Sequence, residues 1–239
     1  DPIEVEGRFN PAHGERTYAE MVAHYEEYND IVGDNPLNLG TTTLALGAFL
    51  LTGEAKYRNW LLEYVDAWVE RTRANNGFVP SNVGLDGTPG GECGGRWYGG
   101  VYGWGFTVVV PQTGELAHRP FFQMRSFYGF ANALLLTGNL EYVKHWGDMI
   151  DQANANAKVE NGVTLYPHMY GDEGWYDFRP EPFNPGAQQT YYWTMDKEYL
   201  KWAPSSRWLD FLEGKDDNFP VEALKQDFKV LRQRMEKVS

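Results

Sequence analysis

The sequence predicts an all-α fold of repeated helical hairpins, an inner ring of helices inside an outer one or part of such a ring, joined by long Gly- and aromatic-rich loops. The first observation is a repeat. Thr52/Thr137, Gly53/Gly138, Tyr57/Tyr142, Asp66/Asp151, Asn76/Asn161 and Gly77/Gly162 are all 85 positions apart, so one register holds across 26 residues. Self-similarity at a fixed period marks a repeated supersecondary unit. The second observation is periodicity: in each copy an apolar run meets Leu-Thr-Gly and is followed by aromatics at spacings of three and four. The third is a shortened copy, Thr194-Met-Asp-Lys-Glu-Tyr199-Leu-Lys-Trp202, in which Thr, Tyr and Trp keep the spacing of Thr52, Tyr57 and Trp60.

Residues 1–16, with Pro2, Gly7, Pro11 and Gly14, read as an arm. Tyr18, Met21, Val22, Tyr25 and Tyr28 then predict a short helix. Leu44, Leu46, Ala48, Phe49, Leu50 and Leu51 predict an inner helix that stops at Gly53, a residue suited to the left-handed C-cap. Apolar residues cover almost every side of that helix, as expected for one packed on both faces. Over residues 54–73, Tyr57, Trp60, Leu61, Tyr64, Val65 and Trp68 predict an amphipathic outer helix. Residues 78–119 concentrate Gly and interleave it with Trp97, Tyr98, Tyr102, Trp104 and Phe106. Glycine admits a close ligand and aromatic rings supply flat faces, although the same rings could simply pack the loop onto its own domain.

The second inner helix is expected over 121–136 and the second outer helix over 140–157. A second long loop follows at 163–186, with His168, Tyr170, Trp175, Tyr176 and Phe178. In a ring of hairpins, connections that leave the outer helices share one rim, so the two aromatic loops are expected to face one cleft. Residues 221–238 close the chain as a basic amphipathic helix through Leu224, Phe228, Leu231 and Met235, read as structural.

Composition narrows the function classes. With 239 residues, 42% hydrophobic and 23% charged, one domain spanning 1–239 has enough chain for a sizeable core. No run approaches the ~20 apolar residues of a membrane span. A net charge of −12 argues against nucleic acid or an anionic membrane as the main partner. Cys93 is the only cysteine, which excludes an internal disulfide framework and a Cys-based zinc cluster. Asp216-Asp217-Asn218 with Glu222 lacks the length and central Gly of an EF-hand, and no phosphate loop, dinucleotide fingerprint or His-Glu-x-x-His occurs. Neither a metal nor a cofactor is expected. The start, Asp-Pro-Ile-Glu-Val-Glu-Gly-Arg, is not a signal peptide, and the missing Met leaves room for a removed leader or upstream segment.

The inner apolar helix, Leu-Thr-Gly turn and Tyr/Trp outer helix resemble the hairpin of the α/α-toroid carbohydrate-active enzymes, a superfamily of polysaccharide lyases, unsaturated uronyl hydrolases and glycosidases. The resemblance covers residues 37–77, 121–162 and 187–202. It implies an (α/α)n toroid or part of one, a polysaccharide or oligosaccharide substrate, and a secreted or periplasmic location. A closed ring needs about six hairpins and this chain holds three or four, so an upstream domain or second subunit would complete it.

The resemblance also implies a first choice of chemistry, β-elimination at a uronic acid. That reaction needs the carboxylate neutralised, a base at C5–H and an acid for the leaving oxygen. Tyr and His fill the last two roles in such lyases, which points to His168, Tyr170 and Tyr98, with Arg96 placed to lower the Tyr98 phenol pKa. Asn38 and Gln188, at inner-helix starts, are expected to face substrate with Trp97, Tyr102, Trp104, His118, Arg119 and Trp175. The alternatives are a glycoside hydrolase using a carboxylate pair drawn from Asp86, Glu92, Asp172, Glu173 and Asp177, and a non-catalytic glycan-binding module.

Overall fold

The computed structural model describes Ala19 and residues 33–91, 93–99, 103–109, 116–119 and 124–238. The expected N-terminal arm and the rest of the helix near residues 18–28 lie outside them. The chain divides into two compact units, Asp1–Trp202 and Ala203–Ser239.

In the larger unit a 3-10 turn, Pro36–Thr41, leads into α1 (Thr42–Thr52) and α2 (Ala55–Ala74). Asn35 caps the turn by accepting from the Leu37 amide. α2 buries Leu61, Val65, Trp68, Val69 and Thr72, the stripe its sequence spacing requires. The second pair is α3 (Met124–Thr137) and α4 (Glu141–Asn154), and α5 (Ala187–Thr194) packs on α4. The predicted stop signals act alike in all three copies. Thr52, Thr137 and Thr194 each donate Oγ1–H to the carbonyl four residues back, at 2.8, 2.7 and 2.7 Å. The same hydroxyls accept from the Glu54, Asn139 and Asp196 amides at 3.2, 3.1 and 3.1 Å. The residue between is left-handed each time, Gly53 and Gly138 at φ 70° and Met195 at φ 56°. Met195 therefore takes a strained conformation to keep the turn of the third copy.

An all-α toroid is not what forms. Among the described residues five strands interrupt the helices: β1 (Phe106–Val109) pairs with β2 (Leu116–Arg119), and β3 (Lys158–Glu160), β4 (Val163–Gly171) and β5 (Gly174–Arg179) make a three-stranded antiparallel sheet. The architecture is mixed α/β. The segment expected to be a long loop at 163–186 is largely this β4–β5 hairpin, with Tyr166 opposite Arg179, Pro167 opposite Phe178 and Gly171 opposite Gly174. α4 also stops at Asn154, short of the expected 157. The cause is local: Asn161-Gly162, at φ 50° and 78°, reverses the chain between β3 and β4, and Asn-Gly favours this primed two-residue turn. α1, expected to be packed on both faces, leaves Leu44, Leu50 and Leu51 at 77%, 71% and 88% exposed. Among the described residues, one side only of α1 is covered.

The core runs through Trp68, Phe127, Phe130, Trp146, Trp104 and Phe183, all fully buried. Gly147 lies inside α4 because the ring of Tyr199 crosses it; a Cβ there would stand 1.9 Å from Tyr199 Cε1. Gly147→Ala gains about 1 kcal/mol of helix propensity but overpacks this contact at about 1–3 kcal/mol. The expected result is net destabilisation, read as a lower urea midpoint; a raised midpoint would show that Tyr199 yields freely.

In the smaller unit α6 (Arg207–Leu212) precedes α7 (Phe219–Val238). Ser206 caps α6, Arg207 Nε donates to Asp216 at 2.7 Å, and the rings of Phe211 and Phe219 meet at 6.2 Å. Among the described residues no helix is long and apolar enough to cross a membrane.

Candidate functional site

Two polar constellations flank the glycine-rich segment, and the first is a scaffold. Asp34 accepts from Tyr64 Oη at 2.8 Å, Trp68 Nε1 at 3.2 Å, Arg71 Nη1 at 3.1 Å and Asn38 Nδ2 at 2.8 Å. Burial is the main cause holding the Tyr64 phenol well above its ordinary range. Asp34 also exchanges backbone hydrogen bonds with Val83, at 2.8 and 3.0 Å. Asn38, expected to meet substrate, therefore serves this node, which fastens α2 to the start of the glycine-rich segment.

The second constellation is a pocket of about 180 Å³ lined by Asn82, Cys93, Arg96, Tyr98, Gly99, Gly105, Tyr170, Gly171 and Asp172. Residues 74 apart meet here, as Tyr98 Oη donates to Asp172 Oδ1 at 2.8 Å. The Tyr170 ring lies 5.1 Å from that of Tyr98 and 4.8 Å from that of Trp97. Close backbone approach makes this junction: Gly105 has φ +76°, and a Cβ on it would fall 2.1 Å from the Tyr170 carbonyl oxygen. Glycine is required at that point. The two aromatic segments thus converge, through a hairpin rather than around a ring.

Other rings of the two segments cluster around Tyr170 and behind it. Trp104 is fully buried, with Nε1 donating to the Val79 carbonyl at 3.2 Å and its ring 5.0 Å from Phe183. Trp175 meets Tyr170 at 5.0 Å, Trp104 at 5.4 Å and Phe78 at 5.3 Å. Trp104, Trp175 and Trp97 support the Tyr170 wall and do not line the pocket.

His168 sits elsewhere. It lies on strand β4 rather than in a loop, half-buried, with Nε2 2.9 Å from the Glu181 carbonyl and its ring packed on Phe183. Gln188 begins α5, also outside the pocket lining. Tyr102 and Glu92 lie outside the described residues. His118 and Arg119 are described by backbone alone, in β2 opposite Thr107 and Phe106.

The electrostatics correct one expectation. The Tyr98 phenol is raised, not lowered: its hydrogen bond to the Asp172 carboxylate is the largest cause, and Arg96 opposes it only weakly. A phenol so placed stays protonated at neutral pH. Of the other acids considered for a pair, Asp177 grips Arg179 at 2.6 and 3.1 Å, and Asp86 accepts from the Thr88 amide in its own turn. Among the described residues Asp172 is the carboxylate that lines the pocket. No group of three His, Cys, Asp or Glu side chains there is arranged to hold a metal ion.

Sequence reasoning missed Asn82. The residue is 3% exposed, and its Nδ2 donates to the carbonyls of Tyr98 at 2.7 Å and Arg96 at 3.3 Å. Those bonds fix the amide's orientation and leave Oδ1 the buried side-chain atom without a partner among the described residues. An unsatisfied buried acceptor costs about 1–3 kcal/mol and calls for an explanation at the site it occupies. Nothing in an isolated Ser-Asn-Val reveals this; the strongest signal was glycine density around it.

Comparison with known proteins adds a family without an activity. No curated protein and no solved structure matches the chain. A family model described as "Domain of unknown function (DUF8034)" matches residues 4–204, nearly the whole of the larger unit, and the chain belongs to that family.

Proposed function

We propose that the pocket receives a uronic acid residue of a glycan and that the chain is a polysaccharide lyase acting by β-elimination. The observation that carries this reading is the Tyr98–Asp172 pair beside Arg96 in one pocket. A sugar acid suits this lining: its carboxylate can meet the Arg96 guanidinium, whose Nε donates to the Cys93 carbonyl at 3.2 Å, its hydroxyls can donate to Asp172 beside the Tyr98 bond, and its apolar face can lie on Tyr170. At about 180 Å³ the pocket suits one sugar ring, with the rest of the polymer outside it.

The chemistry balances within the pair. Arg96 neutralises the uronate carboxylate, which acidifies C5–H. Asp172 takes the C5 proton, the C–H electrons become the C4–C5 double bond, and the C4–O bond breaks. Tyr98 gives its phenol proton to the leaving oxygen. The resulting phenolate stands beside a protonated Asp172, whose proton returns to Tyr98 and resets both groups. Acid and base on one side of the ring suit a syn elimination. The raised Tyr98 phenol fits the acid, and His168 has no part in the scheme. Hydrolysis by two carboxylates is less well supported, because among the described residues the pocket lining holds Asp172 and no second carboxylate.

The test is incubation with a panel of uronate polymers and neutral glycans. Expected is the ultraviolet chromophore of the conjugated unsaturated uronate, formed from uronate polymers alone. Reducing ends without that chromophore would replace elimination with hydrolysis, and glycan binding without either product would leave a binding module.

A further inference from the structure

The twenty residues of α7 carry apolar side chains in a heptad register. Val221, Leu224, Phe228, Leu231 and Met235 are spaced three, four, three and four apart, the a and d positions of a coiled coil. These side chains are 51%, 57%, 57%, 52% and 60% exposed. A helix of the smaller unit thus presents a continuous apolar seam, and α6 reaches its start through the Phe211–Phe219 contact.

We infer that this seam pairs α7 with α7 of a second copy of the chain in a parallel coiled coil. Two observations select that occupant. A concavity in the helix surface is lined by Leu224, Asp227, Phe228, Val230, Leu231 and Arg234, which include the d, g, a and d residues Leu224, Asp227, Phe228 and Leu231. Positions d, g, a and d make the hole that accepts an a-position knob in a parallel pair. The Phe228 of the second copy is that knob.

Charge gives the second observation. With Phe228 at a, Asp227 is at g, while Lys225 and Arg232 are at e. In a parallel dimer g faces the following e of the other helix, which sets Asp227 against Arg232 twice and opposes no like charges. An antiparallel dimer layered on Phe228 and Leu231 would set Lys225 against Arg232 twice. Its gain between Asp227 and Arg234 would be offset by that repulsion. The segment also lies beyond the family match, which ends at residue 204, so assembly through it is independent of the pocket chemistry.

Five core layers span about two heptads, short of the roughly three to four that mark a stable coiled coil, so the dimer is expected to be weak. Sedimentation equilibrium of the full chain from about 1 to about 500 μM, a range that covers weak self-association, is expected to show monomer passing to dimer. Leu231→Glu is expected to hold the chain monomeric throughout with an unchanged thermal transition of the larger unit. Asp227→Arg is expected to weaken pairing about tenfold, and adding Arg232→Asp to restore it, because the swapped charges again face each other. A monomeric wild-type chain at the highest concentration overturns the proposal, whether or not another protein binds the seam. So does a dimer indifferent to Leu231→Glu, or a charge swap that fails to recover pairing.

Discussion

Asp34→Ala is expected to destabilise the larger unit by about 3–5 kcal/mol, which lowers its melting temperature by roughly 10 °C. One carboxylate serves four side-chain donors, and its removal leaves them together around a void. Trp68 is fully buried, so its indole N–H cannot turn to water. Arg71 and Asp34 have side chains only 19% exposed, and the guanidinium would lose its counter-charge in that setting. A hydrogen bond to a charged group contributes about 1.5–3 kcal/mol, and orphaned buried donors add their own cost. Asp34→Asn keeps one acceptor oxygen and should lose about half as much. Denaturant unfolding with a constant slope checks both values. A loss below about 1 kcal/mol for the alanine variant would mean that water replaces the carboxylate and that the node is no scaffold.

The same substitution reaches the pocket through the backbone. Asp34 pairs with Val83, and Asn82, next in the chain, sets the pocket wall by holding the carbonyls of Tyr98 and Arg96. Gly33 allows the two backbones to approach, since a Cβ there would lie 2.2 Å from the Val83 oxygen. Helix packing and site geometry are therefore one mechanical unit on this side of the molecule.

The helical pairs were legible because their signals are local. Leu-Thr-Gly stops a helix wherever it stands, and even Met195 conforms to the pattern set by Thr194 and Asp196. The sheet was missed because the repeat itself misleads. Asn76-Gly77 and Asn161-Gly162 have nearly the same conformation, φ 54° and 85° against 50° and 78°. The first ends a helix and the second turns a hairpin. What separates them is the flank: Val-Thr-Leu-Tyr alternates after Gly162, whereas Phe78-Val79-Pro80 follows Gly77, and proline cannot donate to a ladder. The alternation from Val163 to Tyr170 was the available signal, and the apparent helical period hid it. The meeting of the two aromatic segments was expected on grounds of ring topology; strand pairing and a bare Gly105 bring it about. Partnerships such as Tyr98 with Asp172 depend on three-dimensional closure across 74 residues and leave no trace in spacing.

Asp172→Asn is expected to lower elimination by a factor of about 10²–10⁴, the usual worth of a positioned acid or base. Tyr98→Phe should cost a similar factor, and the double variant little more than either alone, because groups that act as a unit do not contribute additively. Neither change should disturb folding: Asp172 occupies the exposed β4–β5 turn, and Tyr98 loses only its hydroxyl. The pH dependence gives a readout that a merely structural role would not move. The carboxylate raises the Tyr98 phenol above its ordinary value of 10.0. A raised phenol keeps its proton, and the donation to Asp172 persists, until pH climbs through that raised value. The alkaline limb of the rate should therefore lie above pH 10.0 in the wild-type chain. In Asp172→Asn the largest cause of the shift is gone, so the phenol should ionise at lower pH. The ring-labelled Tyr98 signal, assigned by its absence from Tyr98→Phe, follows this directly by NMR. An unmoved Tyr98 titration would show that the carboxylate does not govern the phenol, and unchanged turnover would remove the pair from the chemistry.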